Sequence, residues 1–561
     1  SRAAPDAAGP RPARPPSARL RRAEDAFEAR LAGAGGSPGP RRLRVRMLPP
    51  TADDNVSDLD RLLRSMKADH GIAHPAVDPV AVAEIPAAAR KGGWDVTATV
   101  AFSRVRSTIE DPDSRTPRRP RLIHVQPGDR SALHHAVVFD IGTTSVWAEL
   151  LDLAAGRVLA QASDYNGQIP FGADVIARII HSGRPGGLRH LQEAVVATMN
   201  RLIADLFRST GAEPGDVSHA VAAGNPTMTH LLAGVDPGAI RIPPYTPATR
   251  FFPPVRARLL GLDFPDHVHL QMFPTVSSWV GGDIVSGVLA HGFFGEPRVT
   301  LFVDIGTNAE VVVGNSEFLL TASCSAGSAF EGAGIRCGMR AVPGAVEDVG
   351  VDPATGEPMI VTVGRRRPEG ICGSGLIHGL AELFLAGVLD PNGKFAPGAA
   401  PARVRERGGL REYVLVRAED SATGADITID EADVDNLMRA KGAIHAGIRT
   451  LLAEAGLGVR DIDRVVLAGA FGTCIDIDKA IAIGLLPDLP RDRFVFLGNG
   501  SLLGARLAAL DGAMIDQGER VARRMTALEL SETPRFMDEY VAALFLPHTD
   551  AASFPSVASR R

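Results

Sequence analysis

The sequence predicts a duplicated α/β fold preceded by a small α+β domain. Two stretches support this prediction, His135–Leu153 and Val299–Phe318, because each contains an apolar β run that ends in Asp-Ile-Gly-Thr and precedes a second alternating run. A strand that turns back at such a sequence is a hairpin with a polar tip, whose backbone N–H groups suit an anion and whose Asp suits a metal ion. Two copies in the same context indicate an internal duplication with two phosphate-facing loops.

Length and composition limit the class of protein. A chain of 561 residues is too long for one core, and roughly two to four domains are expected. The net charge of −5 does not favour a nucleic-acid or membrane-surface partner. No apolar run reaches the roughly 18–20 residues that cross a bilayer, and four cysteines are too few for a disulfide framework. We therefore expect a cytoplasmic protein without nucleic-acid or membrane partners.

The first quarter of the chain contains three predicted regions. Residues 1–41 are rich in Ala, Arg, Pro and Gly, and they cannot bury enough apolar surface to offset the entropy lost on ordering, so we expect a disordered arm. Residues 42–107 combine alternating and helical patterns and are predicted to form the small α+β domain, with Pro86 as a helix breaker. Residues 108–133 are predicted to be a linker, with an added edge strand at 122–125.

The remainder contains the two repeated halves, residues 134–296 and 297–548, followed by a tail, residues 549–561. In each half three strands surround or follow the Asp-Ile-Gly-Thr tip, and a later buried strand runs into a Gly-started turn and helix. The predicted helices are Gly187–Thr210, Trp279–His291, Cys372–Gly387, Glu431–Ala455 and Gly498–Ala508, and Gly224–Gly234 is predicted to be a loop that leads into a helix.

Three loops would converge if the two halves face each other. They are the first phosphate loop, Asp140–Thr144, the second phosphate loop, Asp304–Asn308, and a Gly-rich turn after a buried strand, Leu467–Gly472. The missing side chains of the Gly-rich turn would let a flat adenosine lie against backbone. ATP with Mg²⁺ needs hard oxygen ligands, and Asp140 and Asp304 at the tips would supply them, with catalytic roles in positioning phosphoryl transfer. The alternative for each Asp is a strand-end carboxylate that caps a turn. The predicted nucleotide-binding residues are Gly142, Thr143, Thr144, Gly306, Thr307, Asn308, Gly469, Ala470 and Gly472.

Other single residues carry less information. Asp283, in a Gly-Gly-Asp-Ile sequence beside the expected cleft, is a third candidate metal ligand or equally a helix-start cap. His230 and His378 lie within helical patterns and are predicted to be packed or capping residues. Trp147 and Trp279 are predicted to be packing residues.

The duplicated plan resembles the ASKHA superfamily of acetate and sugar kinases, heat-shock chaperones and actin, which share a duplicated RNase-H-like fold that closes on ATP. Longer phrases occur in the same order in the reductive activators of corrinoid proteins. These phrases are GNPTMTHLLAG, RIPPY, WVGGDIVSG, SCSAGSAFEGAGIRCGMRAVPGAVE, GICGSGLI and LAGAFG. The resemblance extends over residues 42–548 and implies an ATPase that helps return a Co(II) corrinoid protein to Co(I). The resemblance therefore implies ATP, Mg²⁺ and a corrinoid protein partner; a homodimer is a further expectation.

One departure from this family concerns iron. Its members usually carry an N-terminal two-iron, two-sulfur domain or a C-terminal cluster domain, whereas the cysteines here begin at Cys324 and end at Cys474. We expect no iron–sulfur cluster in this chain, so that electrons come from a separate donor or an upstream domain has been lost or truncated. The four cysteines lack CxxC spacing and are predicted to be small buried residues.

Three other functions stay open on the sequence. A small-molecule kinase of the same fold would need a base for an acceptor hydroxyl, and no clear sugar-kinase signature is present. A regulatory or chaperone-like ATPase would need no cluster. A dehydratase-type activator would share a cluster across a dimer, with Cys337 or Cys372 as ligands.

Overall fold

The computed structural model describes residues 39–103, 119–400, 402–469 and 475–560. Most of the predicted arm, the first part of the predicted linker, and Ala470, Gly472 and Cys474 lie outside these residues.

The small N-terminal domain is one sheet with two helices on it. The elements are β1 (Arg41–Arg46), α1 (Asp58–His70), β2 (Ala76–Val77), α2 (Pro79–Lys91), β3 (Asp95–Ser103) and β4 (Arg119–Pro127). The strands lie in the order β1-β3-β4-β2. The strand expected at an edge, β4, lies inside the sheet because β2 pairs with it in parallel, Ala76 opposite Arg121. Pro86 lies within α2 and does not end it.

The first half contains a six-stranded sheet and four α-helices among the described residues. The elements are β5 (His135–Ile141), β6 (Ser145–Asp152), β7 (Arg157–Tyr165), α3 (Val175–Ser182), α4 (Gly187–Thr210), β8 (Val217–Gly224), α5 (Pro226–Ala233), β9 (Val255–Arg256), β10 (His269–Met272) and α6 (Gly282–His291). The strands lie in the order β7-β6-β5-β8-β10-β9. Strands β5, β6 and β7 form an antiparallel meander, and β8 pairs with β5 in parallel. The long helix α4 agrees with its predicted bounds, whereas α6, predicted to begin at Trp279, begins at Gly282.

The second half repeats this plan and adds two small sheets. Its strands are β11 (Thr300–Ile305), β12 (Ala309–Gly314), β13 (Leu319–Cys324), β14 (Ala345–Val351), β15 (Pro358–Thr362), β16 (Gly370–Ile371), β17 (Val404–Arg407), β18 (Leu410–Val416), β19 (Ile427–Asp430), β20 (Arg464–Ala468), β21 (Phe494–Gly498) and β22 (Met525–Ala527). Its helices are α7 (Gly373–Leu385), α8 (Glu431–Glu454), α9 (Ile477–Ala482), α10 (Gly500–Leu510), α11 (Ala513–Arg524), α12 (Pro534–Ala542) and α13 (Pro555–Ala558). The large sheet has the order β21-β20-β11-β12-β13-β22, and the two three-stranded sheets are β15-β14-β16 and β17-β18-β19.

Register confirms the internal duplication. In the first half Asp140 at the end of β5 lies opposite Trp147 of β6 and beside Ala223 of β8. In the second half Asp304 at the end of β11 lies opposite Glu310 of β12 and beside Ala468 of β20. Each Asp therefore ends a central strand flanked by one antiparallel and one parallel neighbour. The predicted fold class, a duplicated α/β fold after a small α+β domain, is confirmed.

The two halves meet where α6 crosses α10. A Cβ at Gly504 would lie 2.1 Å from the carbonyl oxygen of Ser286, and one at Gly500 would lie 3.2 Å from the Cα of Gly287. The Ser286 hydroxyl donates to the carbonyl of Ser501 at 2.6 Å. Small residues thus allow the two helix backbones to touch, which holds the halves at a short separation.

The small domain is joined to the first half by charged and aromatic contacts. Buried Arg42 donates to Asp216 at 3.0 Å, and buried Asp78 accepts from Arg256 at 2.7 Å. The rings of His124 and His267 stack across the junction with centroids 3.7 Å apart.

Residues 549–560, the described part of the predicted tail 549–561, pack onto the second half. Phe554 and Val557 belong to its hydrophobic core, and Phe554 lies against His445. Among the described helices, none combines the length and the apolar character that a membrane crossing requires.

Candidate functional site

A cavity of about 420 Å³ opens between the two halves. The ten predicted site residues that the structure describes all line it; their roles stay predictions. Ala470 and Gly472 lie outside the described residues. The cavity is lined by Asp140, Gly142, Thr143, Thr144, Ser145, Trp147, Val175, Asn225, Pro226, Thr227, Ser278, Trp279, Asp283, Ile284, Asp304, Gly306, Thr307, Asn308, Glu310, Glu331, Gly469, Asn499 and Ser501.

Asp140 is held by the opposite half. Its two carboxylate oxygens accept hydrogen bonds from the Asn499 side-chain amide and the Ser501 hydroxyl, both at 2.8 Å. Asn499 caps α10 by accepting from the N–H of Leu502 at 2.8 Å, which fixes its amide toward Asp140. Burial raises the pKa of Asp140, and the two donated hydrogen bonds oppose that rise.

Three more carboxyl groups lie close to Asp140. Burial, and then the charge of Asp140, raise the pKa of Asp283 to about 7. Burial followed by the charges of Asp283 and Asp140 raises the pKa of Asp304 to about 8. The pKa of Glu310 is raised by burial first and then by Asp283 and Asp304. Mutual repulsion of half-buried carboxylates is what a bound cation would relieve.

These four carboxyl groups fit a hydrated Mg²⁺ better than a bare one. No three of them offer oxygens that all lie within 4.8 Å of one another. Mg²⁺ usually keeps several water molecules and takes one or two carboxylates together with phosphate oxygens. Gly281, and not Asp283, is the N-cap of α6, so the predicted capping role of Asp283 is wrong. Asp283 lies in the first turn of this helix, where its carboxylate accepts from the N–H of Ile284 at 2.9 Å; its role as a metal ligand stays a prediction.

The first phosphate loop is a tight turn supported from behind. The N–H of Gly142 donates to the carbonyl of Ser145 at 3.0 Å, and a Cβ at Gly142 would lie 2.7 Å from that oxygen. Arg178, which is fully buried, donates to the Thr143 carbonyl at 2.6 Å. The Asn225 amide donates to the Thr143 hydroxyl at 3.1 Å. The turn therefore keeps its shape without a ligand.

The two phosphate loops touch across the cavity. The hydroxyl oxygens of Thr144 and Thr307 lie 3.1 Å apart. Each hydroxyl also donates to the Glu331 carboxylate, from Thr144 at 3.1 Å and from Thr307 at 3.0 Å. Glu331 ends a short 3-10 helix, Ser328–Glu331.

The Gly-rich turn meets the second phosphate loop through Gly469. Its φ is +82°, and a Cβ there would lie 2.4 Å from a carboxylate oxygen of Asp304 and 2.6 Å from the carbonyl of Ile305. Only glycine fits at this position, because a side chain would displace the carboxylate.

Several cavity residues were not predicted from the sequence. Glu310 follows Asn308 with the two-residue spacing of one strand face, which was an available signal. Asn499 and Ser501 follow a buried strand as Asp140 does, but their partner is more than 350 residues away. Trp147 and Trp279 pack against the hydrophobic cores as predicted, and both also line the cavity. No pattern in the sequence around Glu331 predicts that its side chain lines the cavity.

The histidines and cysteines lie elsewhere. His230 is fully buried and bonds to the Pro226 carbonyl at 2.7 Å, and His378 pairs with Asp348 at 2.7 Å, so both are packed as predicted. Cys324 and Cys372 are buried free thiols and Cys337 is half-buried.

The arrangement can bind a nucleoside triphosphate with a divalent cation. Two turns from opposite halves bring threonine hydroxyls into the cavity, and half-buried carboxylates line the same cavity. Phosphoryl transfer requires mostly positioning and charge stabilisation, which these groups supply.

Comparison with known proteins gives three family models over most of the chain. They are the RACo linker region at residues 37–132, the RACo middle region at 135–295, and the C-terminal domain of RACo, the ASKHA domain, at 298–558.

Two curated proteins are similar. The corrinoid activation enzyme RamQ of Eubacterium limosum is 33% identical over 419 residues, which cover 72% of this chain and 69% of RamQ. The [Co(II) methylated amine-specific corrinoid protein] reductase of Methanosarcina barkeri is 25% identical over 454 residues, covering 73% of this chain and 76% of the reductase.

A solved structure has the same fold. The reductive activator for corrinoid, iron-sulfur protein aligns with a TM-score of 0.82 and 42% sequence identity, covering 93% of this chain and 81% of that chain.

Proposed function

The chain belongs to the RACo family, and we propose that it is an ATP-dependent reductive activator that helps return a Co(II) corrinoid protein to Co(I). One observation carries the ATP-dependent part of this proposal. The cavity between the halves is lined by both phosphate loops and by a group of half-buried carboxylates. The corrinoid part rests on the family and on the named activities of its relatives.

We assign the parts of the site as follows. Thr143, Thr144 and Thr307 would bind the phosphates, and Gly469 would leave room beside them for the rest of the nucleotide. Asp140, Asp283, Asp304 and Glu310 would hold Mg²⁺ through its water. When bound, Mg²⁺ neutralises phosphate charge.

ATP would act by changing how the halves meet. The loops come from opposite halves and contact each other directly, so a phosphate bound between them has to alter that contact. A corrinoid partner with different affinities for the two arrangements would be bound and released with the ATPase cycle. A separate donor would supply the one electron that converts Co(II) to Co(I). The homodimer stays a prediction.

The test mixes the purified chain with a Co(II) corrinoid protein, a low-potential reductant and Mg-ATP, and follows the Co(I) absorption. We expect Co(I) to accumulate with ATP and not with a non-hydrolysable analogue. The same yield without ATP would contradict the proposal. Transfer of phosphate to a metabolite, detected in a parallel screen, would instead favour a kinase.

A further inference from the structure

We propose that Glu331 is the base that orients and deprotonates the water that attacks the terminal phosphate of ATP; this inference rests on the proposed ATPase function. Five carboxylates line the described part of the cavity, and Glu331 is the one that bridges the two phosphate loops. Asp140 is committed to Asn499 and Ser501 through both of its oxygens.

Glu331 accepts both hydroxyl protons at the contact between the two phosphate loops. Thr144 and Thr307 have one hydroxyl proton each, and both donate to Glu331, one to each carboxylate oxygen. A phosphate oxygen is an acceptor and needs those same two protons. Glu331 and the phosphate therefore compete for the same donors, and binding of the phosphate releases both carboxylate oxygens of Glu331.

The released carboxylate then lies beside the phosphate with two free acceptor oxygens. A water molecule can donate one proton to it, which aims a water lone pair at phosphorus. In the reaction the water oxygen forms a bond to the terminal phosphorus, the bond to the bridging oxygen breaks, and ADP leaves with that electron pair. The water proton goes to Glu331.

The backbone around Glu331 supports a fixed position. Gly332 follows it with a φ of +85°, and a Cβ at Gly332 would lie 2.7 Å from the backbone nitrogen of Met339. This close contact between two backbone segments leaves little room for the turn to shift.

The test compares Glu331→Gln with Glu317→Gln, the same change at an exposed position of the second half. Two quantities are measured: the turnover rate of ATP hydrolysis, and the affinity for a fluorescent non-hydrolysable ATP analogue. Because a general base increases the reaction rate roughly 10²–10⁴-fold, we expect Glu331→Gln to slow ATP turnover at least a hundredfold. Its affinity for the analogue should stay the same or increase, since a competitor for the threonine protons is weakened. Glu317→Gln should match the wild type.

Two results would overturn the assignment. Unchanged turnover in Glu331→Gln would mean that another group orients the water. Analogue binding weakened more than about tenfold, in a variant whose thermal unfolding is unchanged, would mean that Glu331 builds the phosphate site rather than acting on water. A wild-type protein that does not hydrolyse ATP would instead reject the proposed function, and this inference with it.

Discussion

At the scale of single residues, the site depends on carboxylates that would be unfavourable anywhere else. Asp304 is half-buried near two other acids, and its pKa is raised to about 8. A close group of like charges weakens the folded protein unless a cation is bound, so such a group is typical of a functional site.

Replacement of Asp304 tests this role. We expect Asp304→Asn to slow ATP hydrolysis about a hundredfold or more while the protein stays folded, because one charge that would hold Mg²⁺ is lost. Phosphate release at saturating Mg-ATP measures the rate, and thermal unfolding verifies the fold. Asp420→Asn, on an exposed loop of the same half, is the control. Wild-type turnover in Asp304→Asn would exclude it as a ligand.

The sequence identified the residues at the loop tips but not those that reach them from elsewhere. Asp140 and Asp304 stand in a repeated local pattern, and the pattern is visible in either copy alone. Glu331 and Asn499 enter the cavity through the packing of distant segments. The sequence around Asn499 predicts the start of a helix but not its partner Asp140, and nothing in the neighbours of Glu331 along the chain distinguishes it from a surface residue.

At the scale of elements, periodicity predicted the long helices well. The helix Gly187–Thr210 has the predicted bounds because its apolar spacing lasts six turns and Gly211 ends it with a φ of +70°. The sequence wrongly predicts an edge strand at 122–125. Its outer neighbour in the sheet, β2, has only two residues, which are too few to give an alternating pattern.

The crossing of α6 and α10 depends on glycine. We expect Gly504→Ala to destabilise the protein by about 1–3 kcal/mol, because the added methyl group overlaps the Ser286 carbonyl. Urea unfolding followed by fluorescence and circular dichroism measures the change. Gly295→Ala adds the same methyl group where nothing lies within 4 Å and should have little effect. Equal stability of the two variants would show that the helices can separate freely.

At the scale of the whole molecule, an ion pair with a buried carboxylate joins the halves. Glu149 of β6 is 2% exposed, and Arg506 of α10 donates to it at 2.7 and 3.0 Å. We expect Arg506→Met to cost about 3–5 kcal/mol, since the carboxylate keeps its burial and loses its cation. Adding Glu149→Gln should restore part of that loss. The measurement is the unfolding midpoint of both single variants and the double variant; additive losses would contradict the coupling.

The junction with the small domain should weaken in acid. Burial, and then the charge of the stacked His124, lower the pKa of His267 to about 3, against about 6.5 in an unfolded chain. As the pH falls from 6.5 toward 3, the unfolded chain takes up a proton that the folded protein excludes. Between pH 6.5 and pH 3, the contribution of His267 to the free energy of unfolding should therefore fall by about 1.4 kcal/mol for each pH unit. Above pH 6.5 this contribution is fully present.

Thermal unfolding between pH 7 and pH 5 tests this pH dependence. We expect His267→Gln to show a shallower fall of the unfolding midpoint than the wild type, whatever its absolute stability. Exposed His70→Gln serves as the control and should keep the wild-type slope. Parallel curves for all three proteins would contradict the role of His267.

The hydrogen bonds of Asp140 have a consequence during synthesis. Its partners Asn499 and Ser501 follow it by 359 and 361 residues. At about 5–20 residues per second, the ribosome needs roughly 20–70 s to add the residues that complete this carboxylate's surroundings. For that interval the nascent first half carries a sheet face that α10 has not yet covered. Early contact with a chaperone would protect it, and an arrest of translation before residue 500 should leave an aggregation-prone nascent chain.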